Sequence, residues 1–389
     1  MAAPLTTRNK DCMDPEGNAG AAFMSFLNAY ATPETRIHIL TDSDADGLPA
    51  AAILQHALRQ AGYGQTTAEV RLKFESAWSP ALIERLAHID PEVLLITDLG
   101  SRPDPILPGV PTLLLDHHRP TGIPQGATLV SAYRELSDGE SAREIATTGL
   151  MAYWCAQALL PGGCEQFAWL AAISLLSDLG DKAPFQELAL AKKLYGAGAL
   201  REVTSLLNAP RRSARGDASS ALKLLLLAGS PKELLSSDDP LLASLRAELQ
   251  AAKSEVAAAL AAARKLPPRF SSAVRDELGA DLVAIRIDSG CQVHPLIAQQ
   301  WRARFPKSVI FGVNTGFRPG WVHFSGRAPH GVDLIRFLRN HQPEGADDAY
   351  GNGHDQAAGG ALRTPVWNRF IAGLGFGPDL LVPDEDADE

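Results

Sequence analysis

A chain of 389 residues exceeds what one ordinary core accommodates, so two domains are expected. Its 46% hydrophobic and 21% charged residues are those of a soluble globular protein, which excludes the disordered and fibrous classes. A formal net charge of −9 makes a poor surface for gripping long nucleic acid by bulk electrostatics, and leaves open a local basic groove.

Residues 1–35 read as an N-terminal segment. "MAAPLTTRNKDCMDPEGNAG" carries charges but no apolar stretch of the signal-peptide kind. No apolar run approaches the length of a bilayer span, so no membrane partner is expected. Cys12, Cys155, Cys164 and Cys291 include no C-x-x-C pair, which argues against a structural zinc site and a disulfide framework. The expected setting is cytoplasmic, with reduced thiols.

From residue 36 strands and helices alternate. "RIHILTD" (36–42) predicts a strand, "LPAAAILQHALRQ" (48–60) a helix, and residues 69–75 a further strand. The helix "SPALIERLAHI" (79–89), the strand "EVLLITDL" (92–99) and the strand "TLLLDHH" (112–118) follow. Near-continuous apolar strands alternating with helices predict a parallel sheet covered on both faces. The helix at 141–160 and the apolar stretch 166–178 continue this domain to about residue 205. Residues 206–268 read as a linker. Its Ala-, Leu-, Glu- and Lys-rich part (239–266) predicts one long helix, broken by "LPP". A smaller α/β domain (269–378) follows, with strands at 282–288, 308–314 and 320–326 and a helix at 295–304. Residues 379–389 form an acidic tail.

The C-terminal ends of the apolar segments carry acids. Asp42, Asp44 and Asp46 follow "RIHILT", Asp98 follows "LLIT", Asp116 follows "LLL" and Asp178 follows "ISLLS", each read as a strand end. In a doubly wound sheet all parallel strands end on one edge, where ligands bind. Carboxylates gathered there repel unless a cation sits among them. With His117 and His118 beside Asp116 and no thiolate nearby, the set suits a hard-to-borderline divalent ion such as Mn²⁺. The supply of acids suffices for two bridged ions, a device for in-line displacement at phosphorus.

These residues carry a resemblance. "DSDADG" (42–47), Asp98, "DHH" (116–118) and Asp178 stand in the order of the four motifs of the DHH phosphoesterase superfamily. "SGR" (325–327) and "GNGHDQAAGG" (351–360) resemble the signature of that family's C-terminal companion domain. The two-domain form is shared by RecJ-type single-strand exonucleases, nanoRNases and cyclic-dinucleotide phosphodiesterases. The implied fold is an α/β, doubly wound parallel-sheet domain carrying the metal site, joined by a long helix to a smaller α/β domain.

The resemblance also implies roles. Asp98 would bridge two Mn²⁺ ions (Mg²⁺ being the other candidate), with Asp44, His117 and Asp178 on one and Asp42 on the other. His38, four residues before Asp42, is either a further ligand or a satisfied strand histidine. His118 would face the phosphate and Asp116 orient the imidazoles. Asp46 either joins the metal set or caps the helix beginning near Leu48. Asp181 is a rival for the role of Asp178. In the second domain Ser325, Arg327, Gly353 and His354 would hold a substrate phosphate across from the metal site. Asp355 stands where members often carry Lys, which removes a cation. Arg211, Arg212 and Arg215 would line a path for a strand, or form a solvated basic loop. Trp301, Trp321 and Phe324 would stack bases or sit in the core.

The implied activity is Mn²⁺-dependent hydrolysis of single-stranded DNA or short oligonucleotides to nucleoside 5′-monophosphates. One alternative is a phosphoesterase for cyclic dinucleotides or 3′,5′-bisphosphate nucleotides; another is a non-catalytic replication or repair scaffold. The oligomeric state stays open, a homodimer included.

Overall fold

The computed structural model describes residues 15–134, 144–213, 216–347 and 350–383. The chain packs as two compact units. The first comprises residues 1–208 and 217–245, the second residues 209–216 and 246–389. No helix among the described residues is long and apolar enough to cross a membrane.

The first unit opens with α1 (Pro15–Tyr30), β1 (Ile37–Thr41), α2 (Gly47–Gln60), β2 (Thr66–Val70) and α3 (Pro80–Ile89). It continues with β3 (Val93–Thr97), β4 (Thr112–Asp116), β5 (Thr128–Ser131), α4 (Thr148–Leu159) and α5 (Ala168–Asp178). The strands form one sheet in the order β2-β1-β3-β4-β5, every pairing parallel. Every residue of β1, β3 and β4 is buried, which accounts for their unbroken apolar sequences. On one face Leu40, Leu94, Ile96 and Leu114 pack with Leu82 and Leu86 of α3. On the other α2 packs on β1 and α4 on β4, with α1 and α5 against α4. The chain reverses its direction of travel across the sheet between β1 and β3, which makes their C-terminal ends the switch point where such sheets bind ligands.

Three sequence readings shift here. The second strand lies at 66–70 and not 69–75, since its polar sequence TTAEV gives little apolar signal. Helix α4 starts at Thr148, and residues 141–143 lie outside the described residues. Asp178 ends a helix and not a strand: α5 is buried along most of its length, so it shows none of the 3.6-residue alternation that separates helix from strand.

Helices α6 (Gln186–Tyr195) and α7 (Ala197–Leu207) complete the packing on α5. The short α8 (Ala209–Arg212) belongs to the second unit, α9 (Ser219–Leu227) and α10 (Pro231–Leu235) to the first. The long helix is α11 (Pro240–Ala263), whose residues divide between the units at Leu245.

The second unit contains β6 (Arg269–Ser271), α12 (Arg275–Leu278), β7 (Leu282–Ile287), α13 (His294–Arg302), β8 (Val309–Arg318) and β9 (Trp321–Arg327). It ends with α14 (Leu334–Asn340), β10 (Tyr350–His354), β11 (Ala357–Arg363) and α15 (Thr364–Gly373). Its mixed sheet runs β10-β11-β9-β8-β7-β6, with β7 and β8 parallel and the other pairings antiparallel. One face packs Phe311, Val322 and Phe324 against α14 and α15, and the other packs Val283, Ile285 and Ile310 against α13.

Candidate metal centre

The acids expected to converge do so at the C-terminal edge of the first sheet. Three overlapping groups have donor atoms within 4.8 Å of one another: Asp42, Asp44 and Asp98; Asp98, His117 and His118; and Asp46, His117 and Asp178. Asp98 belongs to two of them and His117 to two, so these side chains sit where neighbouring donor sets meet.

The backbone explains the convergence. β1 and β3 are adjacent, so Asp42 and Asp98, each one residue past its strand, emerge side by side. Asp98 has a left-handed backbone (φ 63°), uncommon outside glycine, Asn and Asp, that turns it out of the strand direction, while its N–H bonds Leu115 O at 3.1 Å. Asp44 Oδ1 accepts the N–H groups of Asp46 (2.9 Å) and Gly47 (3.1 Å) and so caps the start of α2. Asp46, at the N-cap position of α2, gives that helix no side-chain cap. Its carboxylate is turned to α4 and α5, where it accepts from Thr148 N, Gly149 N and Ser174 Oγ. The expectation that Asp46 caps the helix near Leu48 is therefore corrected: Asp44, two places earlier, takes the N–H groups at the helix start, because the Asp46 carboxylate is engaged elsewhere.

His117 Nε2 lies 3.5 Å from Asp178 Oδ2, 3.6 Å from Asp98 Oδ1 and 3.7 Å from Asp46 Oδ2. Each separation is too long for a hydrogen bond. One imidazole nitrogen facing three carboxylates at such distances fits a shared cation. His118 is more open, with its side chain 34% exposed, and its Nδ1 lies 3.0 Å from Asp116 Oδ1. Asp116 also accepts from the N–H groups of His118 and Gly100, so this buried carboxylate fixes both the histidine and the turn after β3.

The electrostatics follow the packing. Burial, then the charges of Asp46, Asp44, Asp116 and Asp178, push the Asp98 carboxyl well above its ordinary range. Asp46 is raised, again chiefly by burial. Burial and the neighbouring His118 lower His117. Burial alone would lower His118 too, but the charge and hydrogen bond of Asp116 outweigh it and hold the imidazole at about 9. His118 in turn keeps Asp116 below the usual carboxylate range despite its burial. The set consists of oxygen and imidazole donors without thiolate, crowded into a buried edge. It fits a divalent ion of the Mn²⁺ or Mg²⁺ kind.

His38 stands apart from these groups. Its Nδ1 meets Thr67 Oγ1 of the neighbouring β2 at 2.8 Å and its Nε2 is 4.0 Å from Glu69, while burial lowers it to about 4. Its Nδ1 is thus bonded within the sheet, while its buried Nε2 makes no hydrogen bond. Asp181 pairs with Arg201 and Lys192 on the surface, which leaves Asp178 at the site. Sequence reasoning missed Arg71, whose Nε donates to Asp42 Oδ1 and whose Nη1 donates to Glu75 O at 3.2 Å. With the strand placed at 69–75, Arg71 reads as strand interior; it is the first residue past β2, on the same edge as the acids. Asn208 was missed as well; its Oδ1 accepts from Ala45 N at 3.2 Å, within the loop that carries Asp44.

In the second unit Ser325 and Arg327 lie on β9, two residues apart and so on one face. Arg327 Nη1 donates to Ser325 Oγ at 2.8 Å and to Gly326 O at 2.9 Å. The glycine-rich stretch forms the β10–β11 hairpin, in which His354 pairs with Ala357, and Gly359 of β11 pairs with Ser325 of β9. His354 is exposed at the end of β10. Gly353 has φ 129° and a Cβ there would sit 2.3 Å from Ala357 O, so only glycine fits. Arg211 and Arg212 lie in α8, tied to this unit by Gln292 N donating to Arg212 O at 2.9 Å. Arg215 lies outside the described residues. Trp301, Trp321 and Phe324 are buried, as core residues are.

No protein-family model matches the sequence, and no curated protein matches it. Solved structures do. RecJ from Thermus thermophilus in complex with Mn²⁺ aligns with a TM-score of 0.63 at 20% identity, covering 93% of this chain and 54% of that one. An exonuclease RecJ bound to manganese aligns at 0.60 and 21% identity, covering 99% and 97%. A DHH domain from a protein assigned to a family of ribosomal proteins aligns at 0.60 and 16% identity, covering 92% and 91%. The chain thus spans about half the length of the Thermus protein. With its five-stranded parallel sheet and its second mixed sheet, the chain has the two-domain fold seen in these RecJ structures.

Proposed function

We propose that this chain is a phosphoesterase of the DHH superfamily, a Mn²⁺-dependent phosphodiesterase that hydrolyses single-stranded DNA or short oligonucleotides to nucleoside 5′-monophosphates. The observation that carries the reading is the sharing of Asp98 between the Asp42–Asp44 group and the His117–His118 group. A carboxylate common to two adjoining donor sets is what a pair of bridged ions requires. Mn²⁺ held there would supply an activated water and offset charge on the attacking and leaving oxygens. Asp42, Asp44, Asp98, His117 and Asp178 would hold the metal. His118, held cationic by Asp116 and more exposed than His117, faces the phosphate. Arg327 with Ser325, and His354 beside the close-packed Gly353, take a non-reacting phosphate or sugar of the substrate. The net charge of −9 favours short substrates over long ones. The proposed setting is the cytoplasm.

The test is hydrolysis by metal-stripped protein, with and without Mn²⁺, of single strands from dinucleotides upward, beside a cyclic dinucleotide and a 3′,5′-bisphosphate nucleotide. Release of 5′-mononucleotides from the short strands is the expected result. Turnover of only the cyclic or bisphosphate compound replaces the nuclease reading with the small-molecule one. Mn²⁺ binding without turnover of any of them makes the chain a scaffold.

A further inference from the structure

Residues Thr147, Thr148 and Gly149 open α4 and carry none of the roles described above. Thr147 and Thr148 are fully buried, and Thr147, at the N-cap position, makes no side-chain cap. The first N–H groups of a helix need acceptors, and a helix end buried without them is costly. Here the acceptor comes from another element: Asp46 takes Thr148 N at 3.0 Å on Oδ2 and Gly149 N at 2.7 Å on Oδ1. Ser174 of α5 donates to the same Oδ1. Gly149 permits this approach, since a Cβ there would lie 2.5 Å from Ser174 Cβ and 3.3 Å from Asp46 Oδ1. The three elements are thereby fixed to one another at a single carboxylate.

The consequence appears one atom further on. Thr148 Oγ1 donates to Asp98 Oδ1 at 2.9 Å. Asp98 leaves its strand through a left-handed residue, so its backbone alone does not set how its carboxylate is rotated. We propose that Thr148 is a positioning residue, holding Asp98 in the orientation an ion requires, and that Asp46 acts through it as the staple of α4 and not as a metal ligand. The inference rests on the metal-centre reading. Both Asp46 oxygens already accept hydrogen bonds, Oδ2 from Thr148 N and Oδ1 from Gly149 N and Ser174 Oγ.

The experiment is equilibrium Mn²⁺ binding to the full chain, read as loss of the free-ion electron paramagnetic resonance signal, with thermal melting of the metal-free protein beside it. Thr148→Val keeps the branched shape and removes the hydroxyl. It should weaken Mn²⁺ binding about ten- to hundredfold, the usual cost of losing a group that orients a ligand. Thr148→Ser restores the hydroxyl and should bind as wild type does. Thr148→Ala removes the hydroxyl without any risk of overpacking and decides the matter if the valine variant does not fold. Wild-type affinity in the folded valine or alanine variant overturns the proposal, as does failure of serine to rescue. Asp46→Asn separates staple from ligand: a lost staple lowers the metal-free melting temperature, whereas removal of a mere ligand charge from a crowded acidic cluster raises it. Asp98→Ala is the control for the underlying reading. If Asp98→Ala binds Mn²⁺ as wild type does, the metal centre itself is wrong. If it loses Mn²⁺ while Thr148→Val does not, only the positioning role falls.

Discussion

Asp98→Asn should act in opposite directions on the metal-free and metal-loaded protein. Asp98 is 5% exposed and shares its surroundings with Asp42 and Asp44, their nearest oxygens within 4.8 Å. At that distance two full charges repel by about 3.5 kcal/mol at an effective dielectric constant near 20. Taking up a proton relieves part of this, which leaves about 2 kcal/mol to be recovered when Asn removes the charge. Asn accepts the left-handed backbone as readily as Asp, and its carbonyl still receives the Thr148 hydroxyl. For a unit of this size, about 2 kcal/mol raises the melting temperature by about 4–8 °C. Mn²⁺ at about a hundredfold over its dissociation constant adds about 2.7 kcal/mol to the wild type, or about 5–10 °C, and should add nothing to the variant. Differential scanning calorimetry in EDTA and in Mn²⁺ should therefore show the two proteins exchanging rank. A variant that melts below the wild type in EDTA, or that keeps the full Mn²⁺ increment, refutes the reasoning.

His118→Ala should lower kcat by about 10²–10³ with Mn²⁺ content unchanged, because a charge aimed at the phosphate acts on the transition state. Stoichiometry and rate taken on one sample check this, and metal lost in proportion to activity would exchange the roles of His117 and His118. Arg327→Ala should raise KM for di- to pentanucleotides about tenfold to hundredfold with little change in kcat, the loss of one charge-assisted contact of about 1.5–3 kcal/mol. Steady-state kinetics across strand length decide it, and a loss falling on kcat alone counts against a binding role. Gly353→Ala should destabilise the second unit by about 1–3 kcal/mol, since its φ of 129° and the Ala357 carbonyl leave no room for a methyl group. A denaturant midpoint equal to the wild type would show that the β10–β11 turn relaxes around it.

The sequence displayed the site more clearly than the elements that carry it. Buried central strands such as VLLIT and TLLLD end sharply at polar residues, so the positions of Asp98 and Asp116 on the sheet edge can be read directly. Asp178 arrives at the same place from a helix. Reading it as a strand end is right about position and wrong about structure, because a helix buried all round has no periodicity to show. His38 illustrates the limit of spacing. Four residues of extended chain separate it from Asp42 by about 13 Å, and its ring bonds Thr67 on the next strand. The β10–β11 hairpin is illegible for a different reason: β10 alternates glycine with Tyr350, Asn352 and His354, and β11 carries glycine and alanine on both faces, so no apolar–polar alternation marks a strand. Arg71, Thr148 and Ser174 are invisible in the sequence because each reaches the acidic cluster only through tertiary packing, from positions that carry no motif.

The most direct measurement of the central claim is the release of 5′-mononucleotide from a labelled trinucleotide, followed while metal-stripped protein is titrated with Mn²⁺ and bound ions are counted on the same samples. No turnover is expected without metal, and full turnover only as the second ion binds. Turnover in the metal-free protein, or full activity at one bound ion, would contradict it.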